Sequence, residues 1–185
     1  MNWERKLAEA VAPDPQTLLP RALEARNLCR QKRYGQALEV LWQMLRASRD
    51  EGSPQREAFV LIHIGKVYRN WIWDAALKFF RDGRELARQC GFTRGELIAE
   101  AALGELYYAW GKQDRALAHY RRSLELAEGI EDSGSRRDIL MDMIDCYEAR
   151  GEFETCDQLL AEAARLDEAL GAPSLTDSPG MRHVG

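Results

Sequence analysis

The sequence predicts an all-α protein that folds as a solenoid of helix-turn-helix repeats, and three observations indicate this fold class. A small residue recurs at positions 37, 76, 116 and 156, at intervals of 39, 40 and 40 residues. Around these positions apolar residues recur at steps of three and four, the spacing of an amphipathic helix. Glycines stand at 91, 111 and 171, between or after the predicted helices, where a left-handed backbone is favoured. A constant interval of this length is typical of stacked helical repeats.

The 185 residues divide into an arm, four repeats and a tail. In the arm, residues 1–16, the side chains of Trp3, Leu7 and Val11 form one stripe of a short amphipathic helix, which two prolines then break. The repeats cover about 17–51, 52–91, 92–130 and 131–171, and each is predicted to contain two helices. Residues 172–185 are rich in turn-forming residues and are predicted to be a flexible tail.

Short motifs indicate where individual helices begin and end. Thr93 and Glu96 have the spacing of a capping box, and Ser135 with Asp138 is a looser version of the same pattern. Each pair predicts that a helix begins at its first residue. Gly129 is predicted to terminate the second helix of the third repeat in a left-handed conformation.

The most regular repeat is residues 103–120, which read LGELYYAWGKQDRALAHY. Its small and aromatic residues fall where two antiparallel helices would cross closely, with the turn at Gly111. These residues are Gly104, Tyr107, Ala116 and Tyr120. The pattern returns in residues 143–160 and 64–80, and it resembles the tetratricopeptide repeat over about residues 17–170. The resemblance implies a right-handed α-solenoid of four repeats, and the period near 40 is similar to that of Pins/LGN-type and kinesin-light-chain-like repeats.

The two ends of the repeat array carry polar residues where the inner repeats are apolar. Glu24 and Asn27 take positions that hold apolar side chains in later repeats, and Asp157 takes the position of Leu117. Burying such a charge without a partner is costly, so we expect both end faces to meet solvent. Four repeats are therefore predicted to be the complete array.

In this family the first helix of each repeat lines a concave groove, and the resemblance therefore implies a set of groove residues. The candidate partner-binding residues are Leu19, Arg26, Phe59, Ile62, Lys66, Arg69, Ile98, Glu105, Tyr108, Met141, Asp145 and Glu148. The rows near the helix starts are mostly apolar, which is typical of a contact surface. The other rows run from basic residues to acidic ones along the array, which would fix the direction of a bound segment. The alternative interpretation is a solvated face with pairs such as Lys66 and Glu105.

These features favour a protein-interaction adaptor or scaffold that binds a peptide or helix of a partner in the groove. One alternative is a self-assembling structural protein, a possible homodimer, in which Trp3, Leu7 and Val11 dock the arm into a groove. Another alternative is a regulatory module that senses a peptide. The sequence brings no nucleophile, base and orienting group together, so we expect no enzymatic activity.

Composition and charge exclude several other classes of function. The net charge is −4, from 26 Lys and Arg against 30 Asp and Glu, which argues against a nucleic-acid partner. No apolar run approaches the length of a membrane span, so we expect no membrane partner and a cytoplasmic location. The cysteines (Cys29, Cys90, Cys146, Cys156) and the histidines are scattered, so we expect no metal and no cofactor. His63 beside the groove is interpreted as a packing residue.

Overall fold

The computed structural model describes residues 15–171, with side chains from Pro20 onward, and this range contains eight α-helices and no β-strand. The helices are α1 Pro15–Arg30, α2 Tyr34–Asp50, α3 Pro54–Tyr68, α4 Trp73–Gln89, α5 Thr93–Ala109, α6 Gln113–Gly129, α7 Ser133–Glu148 and α8 Phe153–Ala169. The all-α solenoid predicted from the period is confirmed. Trp3, Leu7 and Val11 of the predicted arm, and the predicted tail at 172–185, lie outside the described residues.

Each helix packs against the helix before it and the helix after it. In addition α3 contacts α5, and α5 contacts α7. The odd-numbered helices therefore form one layer and the even-numbered helices form the other. This arrangement turns the first helix of every repeat toward the same side of the molecule.

Small residues allow the two helices of each repeat to approach closely, as the repeat pattern predicts. The recurring residue at 37, 76, 116 and 156 is at most 4% exposed in every repeat. A Cβ added to Gly104 would lie 2.5 Å from Cε1 of Tyr120, and one added to Gly65 would lie 2.6 Å from Cδ1 of Phe80. Only glycine therefore fits opposite these two buried rings.

The core of the described residues is divided among the junctions between repeats. One cluster joins the first two repeats, a second surrounds Ile62 and Phe80 between the second and third, and a third surrounds Tyr120 and Ile144 between the third and fourth. Each junction buries apolar side chains of two neighbouring repeats. No repeat has a closed core of its own, as expected for a solenoid.

The turns confirm some of the expected glycine positions and correct others. Gly91, Gly111 and Gly171 adopt φ between 64° and 69°. Gly129 was predicted to do the same, but α6 includes it, and Glu131 takes the left-handed conformation with φ 54°. The difference arises because α6 continues for its full 17 residues before the chain turns.

α5 begins at Thr93, as its motif predicts, but neither Thr93 nor Ser135 is the N-cap that a capping box requires. Thr93 is the first helical residue of α5, whose N-cap is Phe92, and no side chain caps that end. In α7 the N-cap is Asp132, which precedes the predicted Ser135. Its carboxylate accepts hydrogen bonds from the Ser135 backbone N–H at 3.0 Å and from the Ser135 hydroxyl at 2.7 Å. A carboxylate so placed satisfies free N–H groups and opposes the positive end of the helix.

The polar side chains predicted for the ends of the array are exposed. Glu24 and Asn27 on α1 meet solvent, whereas the corresponding Ile64 and Val67 of the second repeat are buried. Asp157 on α8 is also exposed. Among the described residues, no helix is both long and apolar enough to cross a membrane.

Candidate functional site

A concave groove of about 640 Å³ runs across the first helices of the four repeats. Its floor is apolar and is formed by small, aliphatic and aromatic side chains: Ala22, Ala25, Phe59, Ile98, Ala101 and Ile139. Small residues at Ala22 and Ala101 leave open the space that a larger side chain would fill. A groove of this size, with an apolar floor and a few charged groups, is suited to binding a ligand.

Charged side chains rise from this floor in a definite order. Arg26, Arg30 and Lys66 line the end formed by α1 and α3. Asp138 and Asp142 of α7 line the other end. The groove is therefore basic at one end and acidic at the other.

The middle of the groove is neutralised by an ion pair between neighbouring repeats. The guanidinium of Arg69, the C-cap residue of α3, pairs with the Glu105 carboxylate on α5, and both side chains are more than a third exposed. Burial lowers the pKa of Arg69, and the nearby Tyr120 and Asp142 act in the opposite direction. An exposed pair of this kind adds little to stability, but it fixes where the basic end stops and the acidic end begins.

Lys66 is half-buried at the basic end, and its charge is disfavoured there. Loss of water on burial, together with repulsion from Arg69, lowers its pKa to about 8. Within residues 20–171 no carboxylate lies within ion-pairing distance of its ammonium group. The ammonium group is thus partly desolvated without a counter-charge.

His63 lies one helical turn before Lys66 and is neutral at physiological pH. Its Nδ1–H donates a hydrogen bond to the Phe59 carbonyl oxygen at 2.9 Å, and its ring packs on the Phe59 ring with centroids 4.1 Å apart. Burial and the charge of Lys66 lower the His63 pKa to about 4, against the opposing effect of the hydrogen bond. These contacts agree with the interpretation of His63 as a packing residue.

Asp142 is the counterpart of Lys66 at the acidic end. Burial and repulsion from Asp145 and Asp138 raise its pKa to about 6, although Arg69 acts in the opposite direction. In the described part of the chain no cation lies within ion-pairing distance of its carboxylate. Near this carboxylate the buried Tyr120 hydroxyl has a raised pKa, chiefly because of desolvation and then because of Asp142.

Comparison of the sequence with protein-family models gives no match, and comparison with curated proteins gives none either. Solved structures do match. BtubC (BKLC) from P. vanneervenii matches with a TM-score of 0.70 at 19% identity, over 96% of this chain and 73% of that chain. The kinesin light chain TPR-like repeats of Podosopora anserina match with a TM-score of 0.67 at 16% identity, over 84% and 77%. The chain has the tetratricopeptide-repeat fold.

Two further matches come from larger proteins. The TPR sensor-containing STAND protein of Pyrococcus horikoshii matches with a TM-score of 0.71 at 19% identity, over 83% of this chain and 24% of that chain. Aspartyl phosphate phosphatase F of Bacillus subtilis matches with a TM-score of 0.57 at 13% identity, over 100% and 57%. At these identities the likeness extends to the tetratricopeptide-repeat fold alone.

The tetratricopeptide register brings half of the predicted partner-binding residues together. Those that line the groove are Arg26, Phe59, Lys66, Arg69, Ile98 and Glu105. Ile62 does not line it, because its side chain packs in the core between the second and third repeats. Tyr108, Met141, Asp145 and Glu148 also lie outside the groove lining. The side chain of Leu19 lies outside the described part of the chain.

The groove also contains residues that the sequence reasoning did not assign to it. His63 and Asp142 occupy equivalent positions of the second and fourth repeats, one residue after the predicted Ile62 and Met141. On α7 the groove-facing residues are Asp138, Ile139 and Asp142 rather than Met141 and Asp145. One repeat position does not face the groove throughout the array, since Ala22 and Ala101 line it and the equivalent Ile62 and Met141 do not. Asp142 follows Asp138 by four residues, about one helical turn, and this spacing is the signal that would have found it.

An aromatic edge, formed by Tyr34, Trp71, Ile72, Trp73 and Trp110, is a second apolar surface of the tetratricopeptide array. Trp71 and Ile72 lie in the turn between α3 and α4, Trp73 is the first residue of α4, and each of the three is more than 40% exposed. Trp71 lies 5.0 Å from Tyr34, and Trp73 lies 5.8 Å from Trp110, measured between ring centroids. The sequence signal for this edge is the run WIW at residues 71–73.

Proposed function

We propose that this chain is a non-catalytic binding module whose groove takes a segment of a partner protein. The observation that carries the proposal is the groove itself. Its apolar floor and its charged ends come from the first helices of all four repeats, so that an extended or helical segment could touch each of them. A bound segment would bury apolar surface on the floor and satisfy charges at the ends, which are the two sources of affinity and specificity in such interfaces.

The matched structures support an interaction or regulatory role in the general sense. One is described as a kinesin light chain with TPR-like repeats, and another as a protein with a tetratricopeptide repeat sensor. We infer the same kind of role here, as an adaptor, a scaffold or a peptide-sensing module that works in the cytoplasm. The residues proposed to contact the partner are those that line the groove, with Phe59, Ile98 and Ala101 on its floor.

The experiment is a selection of displayed peptides on the full-length protein. A library of random 12-residue peptides on phage is selected on the immobilised wild type and on Ala101→Trp, in which an indole would occupy the floor. Ala118→Trp is the matched control, because Ala118 is exposed on α6 outside the groove lining. Peptides enriched on the wild type should bind Ala118→Trp equally and Ala101→Trp weakly. Equal binding to all three proteins, or no enrichment, would overturn the proposal.

Self-association through the N-terminal arm is a second candidate function. The apolar stripe of Trp3, Leu7 and Val11 suits the floor formed by Ala22 and Phe59, which belongs to the first two repeats. Docking of this stripe in a neighbouring chain would give a homodimer. Light scattering coupled to size-exclusion chromatography tests it. The mass should rise toward that of a dimer with concentration, and deletion of residues 1–12 should abolish the rise, whereas a monomer at every concentration excludes it.

A further inference from the structure

Lys66 and Asp142 are groove charges of opposite sign that no residue in 20–171 neutralises within ion-pairing distance. The other charges between them are already matched, since Arg69 pairs with Glu105. Arg69 acts on Asp142 only over a longer distance, because its guanidinium is held by Glu105. The groove therefore presents two partly buried unmatched charges at separate places, the cation of Lys66 and the anion of Asp142, and the exposed Arg30 adds to the basic end.

An opposite charge on a ligand would stabilise the charged form of each group. Lys66 is flanked by His63 and Arg69, and no carboxylate within the described residues lies near enough to pair with it. Asp142 is flanked by Asp138 and Asp145, which repel it. A ligand carboxylate at Lys66 and a ligand cation at Asp142 would each replace water lost on burial with an opposite charge.

We propose that the groove selects a partner segment that places an acidic side chain on Lys66 and a basic side chain on Asp142. This inference rests on the proposed function, and it names the chemistry of the partner. The order of the two charges fixes which end of the segment lies over α1 and α3. In a segment with the reverse order, the basic side chain would lie at Lys66 and the acidic side chain at Asp142, so both would be repelled. The groove therefore rejects such a segment.

The fold also sets the distance between the two charges of the partner. Lys66 lies on α3 and Asp142 lies on α7, two steps apart in the layer of first helices. Neighbouring packed helices are separated by about 8–10 Å, so the two steps span roughly 16–20 Å. An extended chain covers that span with about five or six residues. The floor between the two charges is formed by Ile98 and Ala101, so the intervening residues of the partner are apolar.

The test uses peptides from the selection described above, synthesised with blocked termini so that only side chains carry charge. Each is compared with a charge-inverted peptide in which its acidic and basic residues are exchanged. The proteins are the wild type, Lys66→Glu/Asp142→Lys and a control, Lys78→Glu/Glu154→Lys. The control reverses one exposed charge on α4 and one on α8, outside the groove lining.

We expect the inverted peptide to bind the wild type about tenfold more weakly than the selected one, and the order to reverse on Lys66→Glu/Asp142→Lys. The control should behave like the wild type. Equal binding of both peptides to the wild type, with binding still lost in Ala101→Trp, overturns this inference and leaves the proposed function standing. Absence of any peptide that distinguishes the wild type from Ala101→Trp overturns the proposed function itself.

The reversed variant is checked by circular dichroism and thermal unfolding. If it does not fold, the neutral variants Lys66→Gln and Asp142→Asn replace it. In Lys66→Gln, inverting the acidic residue of the peptide should no longer change its affinity, whereas inverting the basic residue should still weaken it. In Asp142→Asn, the effects of the two peptide residues should be exchanged. A loss of preference at both peptide positions in each variant would contradict the assignment of one charge to each site.

Discussion

Arg69 at the C-terminal end of α3 forms an ion pair with Glu105 on α5, and this pair divides the groove into a basic end and an acidic end. The pair joins two repeats, and it neutralises the two charges nearest the centre of the groove. The partly buried charges that remain for a ligand are the ammonium group of Lys66 on one side and the carboxylate of Asp142 on the other. The charge pattern of the groove thus follows from which residues the fold pairs and which it leaves unmatched.

Gly104→Ala should destabilise the protein by about 1–3 kcal/mol, because the new Cβ overpacks a filled contact. That Cβ would lie 2.5 Å from the buried Tyr120 ring. The matched control is Gly129→Ala, since Gly129 is also helical and a Cβ there meets nothing within 4 Å. The control should be neutral or more stable by up to about 1 kcal/mol, from helix propensity. Urea denaturation measures both, and a Gly104→Ala protein as stable as the wild type would show that the helices do not cross there.

Lys66→Met should make the free protein more stable at pH 7, by on the order of 1 kcal/mol after allowance for solvent screening. The pKa of Lys66 is lowered from 10.5 to about 8, so the folded state holds this proton less tightly than the unfolded state. The stability of the wild type therefore rises with pH between about 8 and 10.5, and its difference from Lys66→Met should shrink there. Denaturation at pH 7 and 10.5 tests this, with the exposed Lys78→Met as the control.

The same substitution should change the titration of His63. Lys66 is one of the causes that lower the His63 pKa to about 4, so removing its charge should raise that pKa. NMR titration of the imidazole protons, assigned with His63→Gln, measures the change. An unchanged His63 pKa would mean that the two side chains lie farther apart than the groove geometry requires.

Exchanging an apolar and an acidic residue at the same repeat position should affect stability strongly in the third repeat and weakly in the last. Leu117→Asp places a carboxylate at a site only 1% exposed, and an unpaired buried charge should cost several kcal/mol. Asp157→Leu, at the corresponding exposed position of the last repeat, should change the unfolding free energy by less than about 0.5 kcal/mol. Thermal and urea unfolding compare them. A large loss in Asp157→Leu would indicate that another surface covers α8.

Binding of the selected peptides should be strongest between about pH 6 and pH 8. Above about 8 the ammonium group of Lys66, which faces His63 and Arg69, loses its proton in the free protein. Below about 6 the carboxylate of Asp142, which faces Asp138, Asp145 and Arg69, takes one up. Either change removes a charge that the peptide needs, so calorimetric affinity should fall on both sides. Affinity that stays constant from pH 5 to pH 9 would contradict a role for these two groups.

The features predicted from the sequence are those set by the repeat itself. The spacing of residues 37, 76, 116 and 156 defined the register, and the register placed Gly104 against Tyr120 and left Asp157 exposed. Such features depend on contacts between the two helices of one repeat or between neighbouring repeats, and these contacts recur at every junction. The spacing of apolar and small residues in the sequence therefore predicts these features directly.

The features that the sequence did not reveal depend on which side chains of each first helix the neighbouring repeats cover. Ile62 was assigned to the groove by its repeat position, yet it packs with Phe80 and Leu103 in the core between the second and third repeats. Asp142 was passed over because Met141 and Asp145 were taken to face the groove on α7, whereas Asp138, Ile139 and Asp142 line it. The Asp132 cap was missed for another reason: the helix begins two residues earlier than the Ser135 motif indicates.

The central claim, that the groove and not another surface binds the partner, is tested most directly by NMR. The measurement is the change in backbone amide shifts of the labelled full-length protein when the most enriched peptide is added. The account predicts that the largest changes occur around Phe59, Lys66, Ile98 and Asp142, on the first helices of three successive repeats. Changes concentrated instead around Trp71 and Trp73, between α3 and the start of α4, would place the partner on the aromatic edge and contradict the claim.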